Sequence, residues 1–121
     1  MDKGQSLIIP HLFGGTNYAY WKVRMRAFLQ SLDEKVWQAV KIGWTKPKEA
    51  SANWDEAKIK AANLNSRALN ALFSAVTNDE FKKIFSTETT KEAWTILQTT
   101  YEGTKAVKGQ SFRGSLQDLK R

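Results

Sequence analysis

Between Tyr18 and Leu32 large apolar side chains recur at Tyr18, Trp21, Met25, Phe28 and Leu32, in alternating steps of three and four. Such steps keep one face of an α-helix in register, so the spacing predicts a helix over 17–32 with Lys22, Arg24 and Arg26 on its other side. Thr16 or Asn17 is placed to cap it. Val36, Trp37 and Val40 mark a shorter second helix, opened by the acidic pair Asp33-Glu34 and stopped at Gly43. The longest run, 54–76, has no Gly or Pro. Its stripe is Ala57, Ala61, Leu64, Ala68, Leu72 and Val76, widened by Leu69 and Phe73. Asn63, Asn65 and Asn70 lower its helix propensity, so packing must help to hold it. Thr77 or Asn78 caps a fourth helix with Phe81, Ile84 and Phe85 inward. Thr89 or Thr90 caps a fifth, in which Glu92 stands three residues after Thr89, Ala93, Trp94, Leu97 and Tyr101 form the stripe, and Gly103 ends the pattern. No segment alternates with period two and none repeats. The expected fold is all-α, a compact bundle of four to five helices.

Three regions follow. Residues 1–15, with Pro10 and the Phe13-Gly14-Gly15 turn, read as an extended lead-in, and 16–104 as the helical lobe. Its expected core is Tyr18, Trp21, Met25, Phe28, Trp37, Leu72, Phe73, Trp94 and Leu97. Residues 105–121 form a tail in which Val107, Phe112, Leu116 and Leu119 hint at a further amphipathic helix. Gly109 and Gly114 each cost about 1 kcal/mol against Ala there, so that helix is expected to be frayed or to need a partner.

Charge sharpens this division. Of the net +7, residues 1–104 carry 14 basic and 11 acidic side chains, a net of +3, and 105–121 carry five basic against one acidic, a net of +4. A polyanion would therefore feel the tail, through Lys105, Lys108, Arg113, Lys120 and Arg121, more than the body. The 121 residues contain no Cys, which excludes disulfides, thiolate metal sites and a zinc knuckle within this chain. Without a signal-like or membrane-length apolar run, the chain is expected to be soluble and cytoplasmic, with no membrane contact.

Little in the sequence suggests catalysis. His11 is the single histidine and has no partner residue at a useful spacing. The carboxylate pairs Asp33-Glu34, Asp55-Glu56 and Asp79-Glu80 could serve glycosidic chemistry, but each opens a helix, where the dipole accounts for it. Gly14-Gly15 follows no strand and has no phosphate-loop spacing. The expectation is a non-enzyme without metal or cofactor. Of the five Trp, Trp21, Trp37 and Trp94 sit on helical stripes. Trp44 and Trp54 flank the polar loop 43–53 and, with Phe112 and Leu116 in the tail, are the candidates for a protein contact.

The landmarks together resemble a known family. Phe13-Gly14-Gly15-Thr16-Asn17-Tyr18, Trp21, Met25 and Leu29 resemble the opening "F-x-G-x-N-Y-x-x-W-x-x-x-M-x-x-x-L" of copia-type retrotransposon Gag polypeptides. Trp37 to Gly43 is similar to the "W-x-x-V-x-x-G" block that follows. Trp54, the segment 71–76 and Phe81-Lys82-Lys83-Ile84 keep the family's order. Lys91-Glu92-Ala93-Trp94 with Leu97 and Tyr101-Glu102-Gly103 resemble "A-K-E-A-W-x-x-L-x-x-x-Y-E-G". The resemblance covers about residues 7–108. It implies a capsid-like helical lobe that self-associates around an RNA-containing particle; domesticated relatives use such lobes to grip peptide segments. The partners so implied are a second copy of the chain or a peptide segment of another protein, with RNA binding through the tail as the alternative. After Val107-Lys108 the sequence leaves the family's "V-K-x-x-K-L-x-x-L" pattern, and a second lobe and a Cys-His knuckle are missing from it. Two origins stay open, a piece of a longer Gag and a Gag-derived chain recruited to another task.

Overall fold

The computed structural model describes residues 11–103. Five helices follow one another: α1 (Tyr18–Leu32), α2 (Glu34–Lys41), α3 (Glu56–Ser74), α4 (Asn78–Ile84) and α5 (Thr90–Glu102). A single 3-10 turn, Ser51–Asn53, lies in the connection between α2 and α3. The fold is all-α among the described residues.

Short polar side chains set the helix starts by taking up backbone N–H groups that lack an intrahelical partner. Asp33 accepts from Lys35 N, Asp55 from Lys58 N and Thr89 from Glu92 N, at 2.8, 2.9 and 3.1 Å. Asn17 caps α1 differently, in the left-handed region at φ 59° and without a side-chain bond. Helix α2 packs against both α1 and α3, while α5 touches α2, α3 and α4.

Much of the core is an aromatic chain. Phe13 stacks on Trp21 at 4.9 Å, Trp21 on Trp94 at 5.9 Å, and Trp94 meets Trp37 edge-on at 5.4 Å. Beyond the area they bury, such pairs contribute about 0.5–1.5 kcal/mol each. Met25, Leu29, Leu72 and Leu97 fill the space beside the rings, and Phe28 and Phe73 pack half-buried against them. Phe13 belongs to the lead-in, yet it is buried and forms a parallel bridge to Val76. Its N–H donates to Ala75 O at 2.7 Å and its carbonyl accepts from Thr77 N at 3.0 Å. The lobe therefore includes the end of the segment expected to lie outside it.

Three expected faces turn out differently. On α1 Leu29 is buried and Leu32 exposed. Leu29 lies eleven residues from Tyr18, about three turns, whereas Leu32, at fourteen, falls about 40° short of a fourth. On α3 Ala57 and Ala61 are exposed, and the buried side begins at Asn65 and continues through Ala68, Ala71 and Leu72. Phe85 is exposed because α4 ends at Ile84, and Glu80 takes an inward position instead.

Among the described residues one buried side-chain group has no partner. The Tyr18 hydroxyl makes no hydrogen bond, and burial, reinforced by the negative charge of Glu102, holds its pKa well above the ordinary phenol value. Burial and a hydrogen bond to Glu80 raise Tyr101 as well. An unfolded Tyr loses its proton near 10.0, while the folded molecule keeps both protons to higher pH. Above that pH the unfolded state binds fewer protons, so stability is fully present below it and falls as pH rises. Urea melts are expected to show this decline from about pH 10 upward, shallower in Tyr18→Phe, with that variant's neutral-pH stability unchanged or raised by up to about 1 kcal/mol. A loss above 1 kcal/mol at neutral pH would mean that the hydroxyl is satisfied after all.

Candidate functional site

Trp44 and Trp54, at the two ends of the loop between α2 and α3, meet each other edge-to-face at 6.4 Å. Trp54 Nε1 donates to Glu49 O at 2.9 Å, and Lys58 forms an ion pair with Glu49. That bond lowers the pKa of Glu49 and raises that of Lys58, so the pair stays ionised through the neutral range. The two indoles thus clasp their own loop. Trp44 stays half-buried and also walls a cleft with Ile42, Thr45 and Ile96.

A second cleft, of about 350 Å³, opens between α1, α2 and α5. Its walls are Val23 of α1, Trp37 and Val40 of α2, and Trp94, Thr95 and Gln98 of α5. Four cations surround them: Lys22, Arg26, Lys41 and Lys91. No carboxylate lines the cleft. Lys22 pairs with Glu102 at 3.0 Å, whereas Arg26, Lys41 and Lys91 have no carboxylate within ion-pair distance among the described residues. The Arg26 guanidinium lies over the Trp37 ring at 5.1 Å, a cation–π contact. Lys91 Nζ reaches Ile42 O, at the C-terminus of α2, at 3.4 Å. Lys91 and Thr95 also line the cleft beside Trp44, so the two clefts adjoin at α5.

Residues 13–41 match a family model described as a domain of unknown function, DUF4219. No curated protein and no solved structure matches the chain. The DUF4219 segment comprises the Phe13 bridge, α1 and α2, and it supplies six of the ten residues that line the basic cleft. Helix α5 closes the groove from outside the DUF4219 segment.

A further polar cluster joins the DUF4219 segment to α4 and α5. Glu80 is buried and accepts from Tyr101 OH at 2.5 Å and from Lys83 Nζ at 3.2 Å; Lys83 also donates to Tyr101 OH at 2.8 Å. Gly15, at φ +103°, lies against it so closely that an added Cβ would meet Glu80 Oε2 at 3.2 Å. Hydrogen bonds to Tyr101 and Glu80 raise the Lys83 pKa, and burial raises that of Tyr101. Both shifts hold the groups protonated, opposite to what a nucleophile or base at neutral pH requires. His11 is exposed and contributes its backbone carbonyl, which accepts from Trp21 Nε1 at 2.8 Å. Among the described residues no three His, Asp or Glu side chains are grouped to hold a metal ion, and no helix is long and apolar enough to cross a membrane.

The groove is not where the sequence pointed. Trp37 and Trp94 sit on core stripes, yet both line the cleft, and Lys22 and Arg26, placed away from the α1 stripe, line it with them. The available signal was Val23, an apolar residue between two cations one turn apart. Phe112, Leu116, Lys105, Lys108, Arg113, Lys120 and Arg121 lie outside the described residues.

Proposed function

We propose that this chain is a Gag-derived, capsid-like helical module of the copia type that works in the cytoplasm through protein–protein contacts and is not an enzyme. The observation that carries the reading is the use made of the large rings: Trp21, Trp37 and Trp94 interlock α1, α2 and α5, and the cleft beside them is lined by apolar side chains and cations without an acid–base pair. Such a lining supports a binding module over a reaction centre. The match at 13–41 supports the origin, since the domain is one found in retrotransposon-type Gag regions. The order of the sequence blocks supports the copia assignment. In this reading the occupant of the surface is a second copy or a peptide segment of another protein.

The +4 excess over 105–121 favours RNA binding as a second activity. One comparison addresses both, using the full chain and a chain ending at residue 104. Light scattering across concentration is expected to show a mass rising above the 13.8 kDa monomer for the full chain. Strict monomers up to about 1 mM, an affinity limit near 4 kcal/mol, would remove the self-association form of the proposal. Single-stranded RNA should bind the full chain with steep salt dependence and lose that binding on truncation; equal affinity of the two chains would end the tail assignment.

A further inference from the structure

We infer that the basic cleft between α1, α2 and α5 is a docking site for an acidic amphipathic peptide, one aliphatic or aromatic anchor flanked by carboxylates. The inference rests on the protein-contact reading above and names the partner's chemistry. Arg26, Lys41 and Lys91 line the cleft without an ion pair to any described carboxylate. Like charges gathered around a partly apolar wall repel one another and attract an anionic partner by the same field. Glu92 bounds this stretch, lying past Lys91 in the neighbouring cleft. Val23 is 67% exposed although its neighbours on the wall, Val40, Trp37 and Trp94, are buried. An apolar side chain set between Val23 and the two indoles would remove that surface from water while its flanking carboxylates reach the cations.

The ring geometry favours a peptide over a nucleic acid. Base recognition on aromatic residues needs an open ring face. Here Trp94 stacks on Trp21 and meets Trp37 edge-on, and the Trp37 face carries Arg26. The cleft offers these already partnered rings and an open-sided volume of about 350 Å³, enough for one large side chain.

The test is fluorescence anisotropy on the full chain with a labelled short peptide of Asp and Glu around a central Leu-Trp pair. A peptide with Lys at the acidic positions and an oligouridylate serve as the other probes. The acidic peptide is expected to bind saturably, and the double variant Lys41→Glu/Lys91→Glu to bind it about tenfold or more weakly. The same charge change placed in the loop, Lys46→Glu/Lys48→Glu, should cost less than about twofold, which separates the cleft from net charge. Val23→Ser, which leaves the charge untouched, should also weaken binding. All these positions are exposed, and circular dichroism checks that each variant keeps its helices. Absence of saturable binding of the acidic peptide would overturn the assignment. So would equal losses in the two double variants, or oligouridylate binding that alone depends on Lys41 and Lys91. If the chain self-associates while the peptide stays unbound, the cleft assignment falls and the module reading stands.

Discussion

Trp21→Ala is expected to lower stability by about 3–5 kcal/mol, against a total of about 5–15 kcal/mol for a domain of this size. Three losses coincide at that position. The ring is buried and stacks between Phe13 and Trp94, so truncation leaves a cavity in the middle of the aromatic chain. Its Nε1 no longer binds the His11 carbonyl, which helps to hold the lead-in over α1. Phe13, bridged to Val76 but deprived of its stacking partner, loses much of its reason to stay buried. In thermal melts the midpoint should fall by about 15 °C or more. Trp44→Ala provides the internal comparison: the ring is half-buried and touches Trp54 at the loop, so a loss under about 1.5 kcal/mol is expected. Small and equal effects at both positions would show that the bundle is not organised around these rings.

Asn65→Ala is expected to cost about 2–4 kcal/mol although it removes only a small polar side chain. Asn65 is buried, its Oδ1 accepts from Thr90 N at 2.9 Å, and its Nδ2 donates to Glu88 O at 2.9 Å. Thr90, also buried, donates from Oγ1 to Asn65 O at 3.0 Å. One amide thus ties the middle of α3 to the first turn of α5 and to the loop before it. Asn65→Leu, which restores volume, should be no better, because the N–H of Thr90 and the carbonyl of Glu88 remain buried without partners. Urea denaturation reads the loss, and amide exchange in the first turn of α5 should accelerate in both variants. A cost below about 1 kcal/mol for either would mean that water replaces the amide.

These two residues also mark how far the sequence could be read. Trp21 falls on a period of three and four, which local geometry alone interprets, and the all-α class, the order of helices and most caps follow from the same local rules. Asn65 looked like a weak helix former because its value lies in a bond to a residue twenty-five positions away. Phe13 and Glu80 were unreadable for the same reason: the first is buried by a bridge to Val76, the second by Tyr101 and Lys83 arriving from other turns and helices. The groove needed a third kind of information. A buried Trp and an exposed Lys are ordinary separately, and only the packing of α5 against α1 and α2 shows that two indoles and four cations line one opening.

The bridge of Phe13 to Val76 has a mechanical consequence. The Phe13 ring also lies 5.0 Å from that of Tyr101, so the start of the described lobe is fastened both to the turn after α3 and to the last turn of α5. A pull applied at the start of the described lobe would load this pair of backbone hydrogen bonds and the ring contact before it reached α1. Release would begin at Phe13 and expose the ring faces that it covers on Tyr18 and Trp21.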